Sequence, residues 1–591
     1  MTPGDGKPLD LHREERSALE GHPATPMEAR RRAARNGFRF VRVGLAVLLL
    51  VVLVAGLQGC VKPSPFLAPA VREELRRAEP LDLEAVIEEP IVELSAVPLE
   101  PPAETVERAR AAAEPHTNAP TITLHLPEVR ASVLENNLDL EVSAFDPSIA
   151  EEGYQAQLGK FEEILDATAE YREVYGADAG VTERISINPT IRVPTRAGGF
   201  VSVGLPVVTD KTAEFDPLSA SFNRVRTYSL GVDLALSQPL LRNAGPEIDY
   251  ASISVTGLQM RQADARAKLT AIRLLATAEQ AYWEYYTAHE NLKIAVQQYD
   301  YAAEQLEMSK VLVREGVRTT VEITRAESGV ALRFGVIITA ETRRRIAERA
   351  LKRIMNRPDL TVGSSTIILT GTEPTPMGLV FDRNRVLDLA ERNRMELLDN
   401  EIQQAIDRIT VAVDKNATLP DLRFDFVYSF SGSQPGFNDT LDRIFKKELN
   451  SYSASLFLEL PLRGNQSARA RLRESLLRQA QTDSTRQLLE LAIREEVYNS
   501  IDTVEQNWQS ILSNRVAVAS AERTYSAERI QFQLGVINGQ DLLNSLNQFA
   551  VAELRQVQAV SAFQNSLVDL AFSTGTVLGK GGVVWTPAPR P

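Results

Sequence analysis

Four stretches of the chain alternate apolar and polar residues with a period of two. Residues 228–236 place Tyr228, Leu230, Val232, Leu234 and Leu236 on one side and Ser229, Gly231, Asp233 and Ala235 on the other. Residues 422–430 set Leu422, Phe424, Phe426, Tyr428 and Phe430 against Arg423, Asp425, Val427 and Ser429. The same alternation runs through 165–172 and 452–460. Period two predicts half-buried strands, each about as long as a tilted strand needs to cross a bilayer. Between them lie long helical runs rich in Ala, Gln, Glu and Arg, with thin apolar stripes such as Leu269, Ile272 and Leu275, or Val516 and Ala519. Thin stripes suit helices that touch neighbours on two sides and meet water on the others.

The chain also repeats itself. Leu134-Glu-Asn136-Asn-Leu-Asp-Leu140 near the start of one half is matched by Leu389-Ala390-Glu-Arg-Asn393-Arg-Met-Glu-Leu397 in the other. Strands then end in Gln238-Pro239-Leu240-Leu241-Arg-Asn-Ala-Gly245 and in Leu460-Pro461-Leu462-Arg463-Gly464. Each half continues into a long helix that reaches a glycine, Gly316-Val317 or Gly535-Val536. Pro239 precedes Gly316 by 77 residues and Pro461 precedes Gly535 by 74, so two landmarks keep nearly one spacing. The expected parts are a first repeat over 120–358, a connecting segment over 359–382, a second repeat over 383–580 and a tail over 581–591. Opening helices are expected at about 127–160 and 383–418, and return helices at about 318–357 and 537–575. Residues 173–224 form a Gly/Pro/Thr-rich excursion with a turn at Gly198-Gly199 and room for an extra strand pair near Ile185 and Val203.

The N-terminus changes the compartment. Six Arg lie between Met27 and Arg42, an uncharged run VGLAVLLLVVLVAGLQG follows, and then comes Cys60, the only cysteine. A basic region, an apolar run and small residues before a cut site are secretory signal architecture. Residues 1–59 are therefore read as a signal peptide, with Met1 and Met27 both open as starts. Residues 60–119 carry a Pro/Glu excess that reads as a tether.

Composition removes most other readings. The 591 residues carry a formal charge of −13, which argues against nucleic acid as partner. One Cys and five scattered His give neither a disulfide framework nor a zinc pattern. No nucleophile, base or cofactor motif stands out, so no enzyme activity and no cofactor are expected. A soluble antiparallel sheet with one wet face would show the same alternation as a membrane barrel. The export signal and the aromatic band at 424–430 favour the membrane. Four strands close no transmembrane barrel, and an open edge in lipid would leave unsatisfied backbone groups, so strands that cross a membrane must be pooled by several chains; three chains would give twelve.

These features together resemble the TolC-type outer-membrane factor family, over about residues 120–580. The carriers are the duplicated opening helix, strand, loop, strand ending in QPLL-R-x-x-G, long helix, Gly-Val turn and return helix. Leu57-Gln58-Gly59-Cys60 resembles a lipobox, with Gln58 departing from its usual small residue, and points to the lipoprotein branch with Cys60 lipidated. The resemblance implies an α+β membrane protein: a homotrimer whose 12-stranded outer-membrane β-barrel, four strands per chain, continues into a long periplasmic α-helical barrel. It implies a passive outer-membrane channel of a tripartite efflux or type I secretion system, projecting into the periplasm. Its partners would be a periplasmic adaptor and an inner-membrane transporter. It further implies that Gly316, Val317, Gly535 and Val536 meet the adaptor, and that Asp541, Asn544 and Glu322 stand at the periplasmic entrance. Glu322 also reads as an ordinary solvated helix position. The alternative is an inner-membrane-anchored coiled-coil adaptor, which would have one hairpin flanked by β-domains rather than a duplication.

Overall fold

The computed structural model describes residues 103–113, 120–176, 180–216, 221–445 and 450–584. The signal peptide, Cys60 and most of the tether lie outside them.

In chain order the elements are α1 (Ala103–Ala113), β1 (Thr121–Leu124), α2 (Leu126–Asn136), α3 (Leu138–Leu158), β2 (Ile164–Gly176), β3 (Gly180–Pro194), β4 (Phe200–Gly204), β5 (Val207–Asp216) and β6 (Ser221–Pro239). They continue with α4 (Ala251–Arg314), α5 (Val321–Met355), β7 (Ile367–Thr370), α6 (Arg383–Asn393), α7 (Met395–Ala417), β8 (Asp421–Gln434), α8 (Phe437–Phe445), β9 (Asn450–Glu459), α9 (Gln466–Gln533) and α10 (Gly539–Ser573). The duplication is physical. The long helices have 64 and 68 residues and both return helices have 35. At 1.5 Å per residue these are roughly 100 Å and roughly 50 Å rods.

The repeated sequence motif marks a break, so each opening helix is two helices rather than one. α2 stops at Asn136 and α6 at Asn393, and the next residues, Asn137 and Arg394, adopt extended backbone. Asn137 restarts the helix by accepting the Leu140 N–H, and its side chain also donates to the Ile354 carbonyl at 2.8 Å. Arg394 is buried against Glu396, Glu496, the Phe572 ring and the Phe572 and Ser573 carbonyls. The two halves use different chemistry to fix one bend.

Each half packs its own core. In the first, Leu124, Val129, Val133, Tyr282, Tyr285, Leu351, Met355 and Ile368 join α2, α4, α5 and the parallel pair β1–β7. In the second, Ala390, Leu397, Ile493, Val497, Ile501 and Phe563 join α6, α7, α9 and α10. The tether expected over 60–119 is partly helix: α1 buries Val106, and its Ala109, Ala112 and Ala113 join a cluster with Leu292, Val296 and Ile337. Arg108 pairs with Glu341 and Arg110 with Asp300. Small residues spaced for one helix face outweigh the flanking prolines.

His289 sits buried on α4, stacked on Tyr285. Burial, with Lys293 and Arg344 nearby, lowers its pKa from 6.5 to about 3. The unfolded chain therefore binds the proton that the fold rejects, and stability falls as pH drops from 6.5 toward 3. At pH 5 the loss is about 2 kcal/mol per chain. In denaturant titrations at pH 7.5 and 5, His289→Phe is expected to remove most of that difference.

The main sheet differs from the four expected strands. All pairings are antiparallel, in the order β2-β3-β4-β6-β8-β9, with β5 also lying between β3 and β6. β4 and β5 share one strand position, interrupted at Leu205-Pro206 where proline has no N–H for the ladder. The chain thus offers six strand positions. The expected strand segments 165–172, 228–236, 422–430 and 452–460 lie in β2, β6, β8 and β9, and the excursion supplies the other two positions. All four expected strands are present, and the sheet holds two further positions per chain because the 173–224 segment alternates too, as Ile185, Ile187, Ile191 and Val193 against Arg184, Ser186, Asn188 and Arg192.

Candidate functional site

The ends of α4 and α9 farthest from the sheet carry two matching turns. Each long helix ends in a glycine with left-handed backbone, Gly316 at φ 78° and Gly535 at φ 77°. The Gly316 and Val317 amides donate to the Val313 and Leu312 carbonyls; those of Gly535 and Val536 donate to Phe532 and Gln531. This doubly bonded helix stop needs positive φ at its glycine, where a Cβ would be strained. Val317 and Val536 project outward, 55% and 71% exposed, and no atom lies within 4 Å of the place a Cβ would take at either glycine. The helix stop alone would not require the exposed valines. The structure places all four residues in helix-ending turns and sets the two turns side by side.

Side chains lock one turn to the other. Arg318 donates to the Phe532 and Ile537 carbonyls and lies over the Phe532 ring, 5.2 Å from its centroid. Glu322 accepts the Gly539 N–H at 3.0 Å and pairs with Arg325 at 2.8 Å. Beneath them Phe532, Tyr525, Leu542, Leu546 and Phe549 form a continuous apolar plug. A carboxylate at the N-terminus of α10 also suits its positive dipole end.

Glu322 is therefore neither a solvated face nor an open carboxylate of the mouth: it is buried and engaged. Asp541 and Asn544 are exposed on the first turns of α10. The Asp541 amide is capped by the Asn538 side chain at 3.0 Å, and Asn544 accepts from Gln540 at 3.2 Å. The difference has a simple origin. Both acids lie six residues past their glycine, but Glu322 is the second residue of its helix and Asp541 the third. One residue rotates a side chain by about 100°. The bonds from Arg318 and to Gly539 were invisible in the sequence because each spans more than 210 positions.

At the opposite end the sheet has two faces. Leu165, Ile191, Val203, Leu234, Tyr428 and Tyr452 form one cross-strand row over all six positions. The other face carries Asp166, Arg192, Ser202, Asp233, Ser429 and Asp425, with ion pairs such as Arg184–Asp210. Among the described residues no helix is long and apolar enough to cross a membrane, and no cluster of His, Cys, Asp and Glu could hold a metal.

Comparison with known proteins agrees with this architecture. Residues 386–576 match the family described as outer membrane efflux protein. The outer membrane protein TolC of Vibrio cholerae serotype O1 is 21% identical over 355 residues, 59% of this chain and 77% of that one. Among solved structures, the outer-membrane channel OprN is 16% identical, with a TM-score of 0.55 over 76% of this chain and 90% of its own. CusC is 13% identical at a TM-score of 0.57 over 78% and 96%. The open-state MtrE channel of Neisseria gonorrhoeae is 18% identical at 0.54 over 77% and 89%. The second half of the chain thus matches the outer membrane efflux protein family, and the chain as a whole shares the fold of the solved outer-membrane channels.

Proposed function

We propose that three copies of this chain close their sheets into one outer-membrane barrel and their helices into a periplasmic tunnel. The assembly is the passive exit duct of a tripartite export system. The observation that carries the reading is the six-position antiparallel sheet, apolar on one face and polar on the other, with unpaired edges at β2 and β9. Open edges in lipid cost several kcal/mol per unsatisfied group, so β9 of one copy pairs with β2 of the next. The two helical hairpins α4–α5 and α9–α10 supply the tunnel wall. The adaptor reading does not fit, because the described residues hold two such hairpins and no pair of β-domains flanking a single one.

In this duct the paired turns at Gly316-Val317 and Gly535-Val536 face the periplasm and receive the tips of an adaptor, which is coupled to an inner-membrane transporter. Exposed valines on a locked base give a partner apolar anchors at low ordering cost. Asp541 and Asn544, on the adjacent helix start, line the entrance. Reconstitution into a planar bilayer tests the duct directly: stepwise ohmic conductance is expected, and a silent bilayer with trimer present would exclude it.

Cys60 is the lipid anchor in the same proposal. Metabolic palmitate labelling is expected for the wild type and absent in Cys60→Ala. Equal label in both would remove the anchor while leaving the barrel reading intact.

A further inference from the structure

The two halves of the chain run 257 residues apart through Asn136/Asn393, Leu138/Met395 and Ile164/Asp421. Past the strands, Pro239 and Pro461 are only 222 apart. The first half therefore holds 35 extra residues, all between the start of β2 and the end of β6. β3 and the shared β4–β5 position occupy that length.

From this placement we infer that the insert is part of the barrel wall, so that the trimer closes with eighteen strands instead of twelve and has a wide outer mouth. The inference rests on the channel reading above. Three observations support it. First, the insert is fully laddered: β3 pairs with β2 over 13 positions, β4 and β5 pair with β3, and both pair with β6. β2 and β6 do not pair with each other among the described residues, so the insert lies between them in the sheet rather than over its face.

Second, its two faces continue those of its neighbours. Ile191 lies beside Leu165 and Val203, and Ile187 beside Ala169 and Val207; Val203 and Val207 then meet Leu234 and Leu230. These residues share the apolar face, with Ile187 47% and Ile191 44% exposed in the single chain. The opposite face of the insert holds Arg184, Ser186, Asn188, Thr190, Arg192 and Asp210. A hairpin folded inside the lumen would meet water on both faces and would not need a row of isoleucines on one of them.

Third, the lower turn of the insert is anchored where the wall meets the helices. The Gly198 N–H donates to Asp249 at 3.1 Å, and the Gly245 N–H to the Ala197 carbonyl at 3.2 Å. Lys160 pairs with the same Asp249 at 2.6 Å. The insert thus spans the full height of the sheet.

Barrel diameter grows with strand number. At a strand spacing of about 4.8 Å and a tilt near 40°, eighteen strands close at a backbone diameter of about 36 Å, and twelve at about 24 Å. An interior of the wider size is the range in which porins keep an aqueous channel. The outer mouth is then no size filter, and selection falls to the helical end.

Cysteine accessibility in outer-membrane vesicles tests the inference, read on the SDS-resistant trimer band with a charged, membrane-impermeant thiol reagent. Wild type, whose one cysteine is Cys60, sets the reference level. Phe426→Cys and Ser429→Cys on β8 are the controls for lipid-facing and lumen-facing positions. Ile187→Cys and Val203→Cys are expected to stay at the reference level, while Asn188→Cys and Val208→Cys label at least fivefold above it. If all four insert positions label alike while the controls keep their contrast, the insert lies outside the wall and the eighteen-strand barrel is wrong. If the β8 controls show no contrast either, or no trimer band forms, the channel reading itself falls.

Discussion

Leu234→Arg and Leu456→Arg are expected to abolish trimer assembly, while Asp233→Arg and Ser455→Arg, one residue away, leave it near wild-type yield. Leu234 stands between Val203 and Tyr428 and Leu456 beside Phe424, all on the apolar face of the sheet. Arginine facing lipid near the bilayer midplane costs about 2–4 kcal/mol. Three copies of that cost fall on one assembly. On the other face, Ser455 lies opposite Asp425, so an arginine there gains a carboxylate neighbour and stays hydrated. Unboiled gels of outer-membrane fractions give the yields. Equal trimer yield for the two faces would mean that these strands do not cross lipid.

The second large effect is expected at the entrance. Asp541 is exposed on the first turn of α10, and threefold symmetry would gather three copies around the axis. Unit charges about 8 Å apart repel by about 2 kcal/mol per pair at an effective dielectric near 20, and such a ring concentrates cations. Asp541→Asn is expected to lower cation-over-anion permeability several-fold and to weaken block by divalent cations added from the periplasmic side. Glu322→Gln is expected to leave selectivity unchanged, because Glu322 is engaged by Gly539 and Arg325 rather than free. Its amide oxygen would still accept the Gly539 N–H while losing the ion pair. Reversal potentials in a salt gradient measure both. Unchanged selectivity in Asp541→Asn would move the constriction elsewhere.

Much of this architecture was legible because it rests on local periodicity. Alternation at 228–236 and 422–430 lies within β6 and β8, and the Gly-Val pairs at 316 and 535 are the observed helix stops. Three features were not legible as such. Asn136 and Asn393 were visible as a repeat but not as breaks, because the extended backbone that follows is stabilised by tertiary partners: Ile354 in one half and Glu496 in the other. The extra strand pair was expected near Ile185 and Val203, but its place inside the sheet was not, because Pro189, Pro206 and Gly198-Gly199 read as loop chemistry until the ladder to β2 and β6 is seen. Glu322 and Asp541 looked equivalent by spacing from their glycines. The one-residue difference in where each return helix begins, which sends them to different environments, is set by Asn538 capping α10 while the Thr320 side chain makes no cap bond on α5.

The central claim is that this chain is one third of an outer-membrane duct. Unboiled electrophoresis of sucrose-gradient membrane fractions tests it most directly. The account predicts that the protein bands with the outer membrane and runs as an SDS-resistant species of three chains that collapses to one on boiling. A monomer or dimer in the inner-membrane or soluble fraction would contradict it.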